Sequence, residues 1–311
     1  MQRSLTSPDG TPAGRYAFGT MQFGGTADDT ASAAMYEAAR VAGITHFDTA
    51  FLYTDGRSEE ILGRLAAPER DGLTIATKIA YRGQGPGELR RQFDLSRKRL
   101  GMESVDLLYL HIFDPEHPLE HTMETFARFR EAGQIRHVGL SNFAAWQVMK
   151  AQGVAAGVGL TIDVIQPMYN LVKRQAEVEI LPMAADQGIA VAAYSPLGGG
   201  LLTGKYLTGE TGRLHQSASY AARYAPAWMT DAAKGLVEIA AREGVAPATL
   251  AVAWVARHPT APWPILSARS AEQLAPSLSA IGFQMTDALY QEISALSPVP
   301  PPATDRLEEQ T

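Results

Sequence analysis

Four residues in the first 111 positions are of types that together can move a proton. Asp48 closes a short apolar run, and Tyr53 follows five positions later on what reads as a loop. Lys78 ends Thr74-Ile75-Ala76-Thr77-Lys78, and His111 follows the run from Val105 to Leu110. A free phenol ionises near pH ~10, too high to be poised at neutrality. A lysine ammonium within ~4–6 Å favours the phenolate and lowers that value, while a carboxylate keeps the lysine charged and in place. Such a phenol could give a proton to, or take one from, a carbonyl or alcohol oxygen, with His111 adding an orienting hydrogen bond. Singly, each has a plainer role: a solvated strand-tip lysine, a loop-capping aspartate, a structural histidine.

Those four need a scaffold that brings strand ends together. Strand-like runs lie at Tyr16–Thr20, Thr45–Ala50, Thr74–Lys78, Val105–Leu110, His137–Leu140, Val164–Gln166, Ile189–Tyr194 and Pro264–Leu266. Between them stand helical segments, several stopped by a glycine, as at Gly43, Gly101, Gly133 and Gly188. Regular alternation of strand and helix implies a parallel sheet, and eight strands at this length close into a (β/α)₈ TIM barrel. Residues 1–15, with Pro8-Asp9-Gly10 as tip, read as an N-terminal hairpin closing one end. Pro196 to Trp228 is a long irregular stretch, with extra helices near Asp231–Glu243 and Pro247–Arg257; the tail from Pro298 reads as extended. No linker divides residues 1–311, so the chain is expected to form one domain.

Composition narrows the function. A net charge of −6 disfavours a nucleic-acid backbone as partner. With no cysteine there is no disulfide, thiol nucleophile or thiolate metal site, which fits a cytoplasmic protein. No apolar run approaches the ~20 residues of a membrane span. His117 and His121, four apart around Pro118, lack a third ligand, so no metal is expected. Gly83-Gln84-Gly85-Pro86-Gly87 is not spaced as a dinucleotide fingerprint and reads as a helix entry.

The chain also resembles the aldo-keto reductases. The motifs are Gly43-Ile44-Thr45-His46-Phe47-Asp48-Thr49-Ala50 with Tyr53, Ala76-Thr77-Lys78, and Arg99-Leu100-Gly101 before Val105–His111. Val138-Gly139-Leu140-Ser141-Asn142-Phe143 and the run from Ser195 to Tyr206 follow in order. Asn142–Trp146, Met168-Tyr169-Asn170 with Arg174-Gln175, and Gly199–Tyr206 are most similar to the branch of aflatoxin-aldehyde and succinic-semialdehyde reductases and related bacterial members. The resemblance implies Tyr53 as general acid, Asp48 and Lys78 tuning it, and His111 orienting a small-molecule carbonyl substrate. It implies NADPH as hydride donor, with NADH as the alternative.

By position, the resemblance assigns the cofactor to Thr20, Met21, Asp48, Ser141, Asn142 and Gln166. Tyr194 would stack on the nicotinamide, and Ser195, Pro196, Leu197, Gly198, Leu201 and Lys205 would form the pyrophosphate loop. Ser267, Arg269, Gln273 and Ser277 would hold the adenosine end. Pro276 and Ser277 depart from the acidic and amide residues usual there, and Ser267 from Gly or Lys. The expected substrate walls are Met21, Tyr53, His111, Phe113 and Trp228, with Phe51, Tyr224 and Arg223 as further candidates. The sequence leaves open a cofactor-holding regulatory subunit like the potassium-channel β subunits, oxidation of a sugar or secondary alcohol, and the choice between monomer and homo-oligomer.

Overall fold

A computed structural model describes residues 4–81, 85–304 and 306. Eight short parallel strands close into a barrel in chain order: β1 (Ala17–Gly19), β2 (His46–Asp48), β3 (Thr74–Ile79), β4 (Val105–Leu110), β5 (Ile135–Ser141), β6 (Val164–Gln166), β7 (Ala190–Ala193) and β8 (Trp263–Leu266). The ring shuts where Ala17 pairs with Ile265 and Phe18 with Leu266.

Alternation along each strand splits the core into two layers. Inward, Ala17, Ala76, Leu107, Tyr109, Val164, Ala192 and Trp263 pack on one another and on Leu5 from the N-terminal segment. Outward, Phe18, Phe47, Ile75, Leu108, Val138 and Val191 pack against the helices. Asp48, Lys78 and His111 lie two residues beyond the buried His46, Ala76 and Tyr109. The same parity therefore turns all three inward at the carboxyl ends of their strands. Leu5 belongs to the expected hairpin, tied by Ala13 N–H donating to Leu5 O at 2.8 Å and Ser7 N–H to Thr11 O at 2.9 Å.

The helices are α1 (Asp29–Val41), α2 (Arg57–Ala66), α3 (Pro86–Leu100), α4 (Leu119–Glu131), α5 (Ala145–Gly157), α6 (Ile180–Gln187), α7 (Arg213–Gln216), α8 (Ala218–Arg223), α9 (Ala227–Glu243), α10 (Pro247–Arg257), α11 (Ala271–Leu278) and α12 (Asp287–Ser294). The stretch read as irregular is thus partly ordered: two 3₁₀ turns and the short α7 and α8 fill it, and α9 begins four residues before Asp231. Neither α11 nor α12 is apparent from periodicity, although Ser270 and Thr286 cap them by accepting from Gln273 N and Leu289 N. Of the helix-entry residues, Gly83 and Gln84 lie outside the described residues; Gly85 caps α3 and Pro86 begins it. Residues 298–302 carry no regular secondary structure, and the tail beyond 306 lies outside the described residues. Among the described residues no single helix is long and apolar enough to cross a membrane.

Candidate active site

The structure brings Asp48, Tyr53, Lys78 and His111 together at the carboxyl end of the barrel. Lys78 Nζ donates to Asp48 Oδ1, to Thr49 O at 2.7 Å and to the Tyr53 hydroxyl at 3.3 Å. The other Asp48 oxygen accepts from Gln166 Nε2 at 2.8 Å. Lys78 and Asp48 are almost wholly buried, at 0% and 2% exposure, so each charge depends on the other. The His111 ring stands edge-on to Tyr53, centroids 6.1 Å apart, and its Nδ1 is buried without a hydrogen-bond partner.

Electrostatics corrects one expectation. Lys78 does pull the Tyr53 phenol down, but burial pushes harder, and the phenol sits above its ordinary value. Tyr53 is half-buried and lines the cavity, its hydroxyl on Lys78 Nζ. For Lys78, burial works against the charge, but Asp48 and Tyr53 together outweigh it and raise the ammonium above its usual range. Burial, with the Lys78 charge second, drives His111 down to about 3, so its ring is neutral at physiological pH.

A cavity of about 770 Å³ opens above this group. Of the residues expected at a cofactor, Met21, Asp48, Ser141, Asn142, Gln166, Tyr194, Ser195, Pro196, Leu197, Lys205, Ser267, Arg269, Gln273 and Ser277 line it. Asn142 Nδ2 donates to His111 O and to Ser141 Oγ, both at 3.0 Å, and its Oδ1 accepts from Tyr194 at 2.7 Å. Thr20 does not line the cavity; it lies beneath, its N–H on Asp48 O at 2.9 Å and its hydroxyl 2.7 Å from Ser58 Oγ. Gly198 and Leu201 belong to the loop after β7, are buried within it and do not line the cavity.

That loop places Gly198, Gly199 and Gly200 in the left-handed region in succession, at φ of 57°, 66° and 93°. A Cβ on Gly199 would come within 2.9 Å of the Tyr220 ring. Lys205, Arg213, Arg223 and Arg269 face the cavity against Glu210 and the Lys78-paired Asp48, a cationic pocket in an acidic protein. Ser267 Oγ is buried with no hydrogen-bond partner. A close-approach glycine loop, a cationic wall and an unsatisfied hydroxyl fit a phosphate-bearing dinucleotide.

Two expected substrate walls lie elsewhere. Phe113 packs edge-on against Phe143 and Trp146, at 5.5 and 5.7 Å, and does not line the cavity. Trp228, in the first turn of α9, points outward at 37% exposure. Phe51 lies under Arg99, and Tyr224 is buried. Tyr81 was missed by sequence reasoning: it lines the cavity and stands edge-on to His111 at 5.3 Å. An aromatic three residues past Lys78 was the available signal. Tyr220 was also missed; its ring carries the guanidinium groups of Arg213 and Arg223 at 4.9 and 4.8 Å. Their spacing, 220 and 223 on one helical face, shows only once α8 is recognised.

The chain belongs to the aldo/keto reductase family, whose model matches residues 15–298. It is 40% identical over 195 residues to aflatoxin B1 aldehyde reductase member 2 of Mus musculus, covering 60% of this chain and 53% of that one. The matched segment therefore spans about half the length of that reductase. It is 31% identical over 325 aligned positions to the uncharacterized oxidoreductase YrpG of Bacillus subtilis (strain 168), covering 96% and 97%. A probable voltage-gated potassium channel subunit beta of Oryza sativa subsp. japonica is 31% identical over 299, covering 90% and 91%. The solved structure of the glycerol dehydrogenase AKR11B4 from Gluconobacter oxydans superposes with a TM-score of 0.83 at 27% identity, covering 96% and 98%. Members of the family are oxidoreductases that pair a nicotinamide cofactor with carbonyl compounds.

Proposed function

We propose that the protein is an NADPH-dependent reductase of aldehydes or ketones, acting as one barrel domain. The observation that carries this reading is the Tyr53 hydroxyl 3.3 Å from Lys78 Nζ on the cavity floor, with Asp48 paired to the same ammonium. When bound, the nicotinamide supplies the hydride.

The chain's own residues supply the rest. Tyr53, a phenol protonated at neutral pH and held further in that form by burial, donates its proton to the carbonyl oxygen. Lys78, held charged by Asp48, stabilises the phenolate left behind. His111, neutral, orients the oxygen beside Tyr53, and Tyr81 walls the substrate. Ser141, Asn142 and Gln166 would hold the carboxamide and Tyr194 the ring face. Lys205 and the loop from Ser195 to Gly200 would hold the pyrophosphate. Arg269 donates to Gln216 at 3.0 Å and, among the described residues, makes no ion pair, which suits it to the 2′-phosphate of NADPH. Pro276 and Ser277 line that end without a charge, so NADH is the competing cofactor.

Oxidation of an alcohol, suggested by the name of the dehydrogenase neighbour, needs the same phenol as phenolate and so gains as pH rises. The channel-subunit relative suggests a second reading, a protein that holds the cofactor and turns over little. Mixing the protein with NADPH or NADH and a panel of aldehydes, and following the nicotinamide absorbance, separates them. Turnover with NADPH is expected. Tight NADPH binding with no aldehyde consumed would favour the channel-subunit reading and overturn ours.

A further inference from the structure

The turn that presents Tyr53 is strained. Thr54 and Asp55 adopt left-handed conformations, at φ of 48° and 55°, and Gly56 follows at 95°. Two successive non-glycine residues in that region persist only when their surroundings over-determine them. Part of the restraint is local: Thr54 Oγ1 donates to Phe23 O at 2.8 Å and accepts from Ser58 N at 3.0 Å.

The remainder comes from α3. Arg99 Nη1 donates to Phe51 O at 3.1 Å and Nη2 to Asp55 O at 3.3 Å, so one guanidinium grips the chain on both sides of Tyr53. It lies 4.8 Å from the centroid of the Phe51 ring. It also crosses Gly56 so closely that a Cβ there would fall 2.2 Å from its Cζ.

The guanidinium is itself seated. Nη1 stands 3.4 Å from Oε2 of Glu59, whose side chain is 0% exposed. The other Glu59 oxygen accepts from Thr77 Oγ1 at 2.6 Å. Thr77 precedes Lys78 in β3, so a single ion pair, its carboxylate fully buried, touches both the turn of the phenol and the strand of the ammonium. None of Arg99, Glu59 or Thr77 lines the cavity.

We propose that Arg99, seated on Glu59, is a positioning residue for the reaction: it holds the strained turn so that the Tyr53 hydroxyl stays within reach of Lys78. The inference rests on the proposed reductase reading. Misplacement of a reacting group by about 1 Å can cost on the order of 100-fold in rate. The test compares wild type, R99A, R99K and the double variant E59Q/R99M for kcat, KM, the NADPH dissociation constant and melting temperature. The double variant is needed because R99A alone strands a buried carboxylate.

The expected result is a loss of roughly 10- to 100-fold in kcat for R99A and for the double variant, with NADPH affinity within about twofold of wild type. R99K should recover part of the loss, since its ammonium can pair with Glu59 but cannot hold both carbonyls. A folded double variant that keeps kcat within about twofold of wild type overturns the inference. So does a kcat loss that tracks weakened NADPH binding and lowered melting temperature without rescue by R99K. A wild type that consumes no aldehyde contradicts the reductase reading itself; an active wild type alongside an unimpaired double variant contradicts only the role of Arg99.

Discussion

The two ends of the cavity hold charge in opposite ways. At the reaction end, Lys78 and Asp48 are sealed from solvent, neutralise one another, and leave burial as the largest influence on Tyr53 and His111. At the other end, where we propose the cofactor phosphates bind, Lys205, Arg213 and Arg269 remain partly open to solvent. There burial, followed by the Arg269 charge, lowers Lys205. One end is preorganised by strand ends and nearly indifferent to salt. The other is a cluster of like charges that gains stability when an anion arrives, and salt screens it.

The largest expected effect tests the sealed end. Lys78→Met should lower kcat by about 10²–10⁴-fold, the range of a lost acid–base contribution. It should also cost about 3–5 kcal/mol of stability by stranding Asp48, measured by denaturant unfolding. Added salt should restore neither. Arg269→Gln and Lys205→Gln probe the open end. Each should raise KM for NADPH about tenfold with little change in kcat, and the difference should shrink near ~1 M salt, where the Debye length is ~3 Å. If salt instead rescued Lys78→Met and left Arg269→Gln untouched, the contrast between the ends would be inverted.

Beneath the reaction end, His46 is buried inside the barrel with both ring nitrogens unpartnered, and burial drives it down to about 4 from an ordinary 6.5. The unfolded chain binds the extra proton between those values, so stability falls as pH drops through 6.5 towards 4. His46→Leu should flatten that part of a stability–pH curve measured by thermal melts. The smallest expected effect is an absence. With His111 near 3 and Tyr53 above its ordinary 10, kcat for reduction should be level from about pH 5 to 9. An inflection near 6.5 in a steady-state pH profile would mean that His111 titrates there, contrary to its burial.

The same contrast explains what could be seen in the sequence. Asp48, Lys78 and His111 were visible because each closes an apolar run on the parity that faces the barrel axis. The loop after β7 was visible through Gly198-Gly199-Gly200 and Lys205. Arg213, Tyr220 and Arg223 were harder, because α7 and α8 span four and six residues, too few for a periodic signal. Phe113 and Trp228 do not line the cavity: an aromatic near a barrel mouth can pack on a neighbouring apolar surface, as Phe113 does, or face solvent, as Trp228 does. The strain at Thr54 and Asp55 had no sequence marker, since neither is the glycine that such a backbone usually requires. Nor could the direction of the Tyr53 shift be read: a nearby lysine is legible, whereas the degree of burial that opposes it is a property of the closed fold.

The most direct test of Tyr53 as the proton donor is a single-turnover measurement of NADPH oxidation by an aldehyde, comparing wild type with Tyr53→Phe. The substitution removes one oxygen and leaves the ring packing beside His111. The expected result is a hydride-transfer rate lowered at least about 100-fold with NADPH binding unchanged. A Tyr53→Phe protein that transfers hydride at the wild-type rate would contradict the assignment.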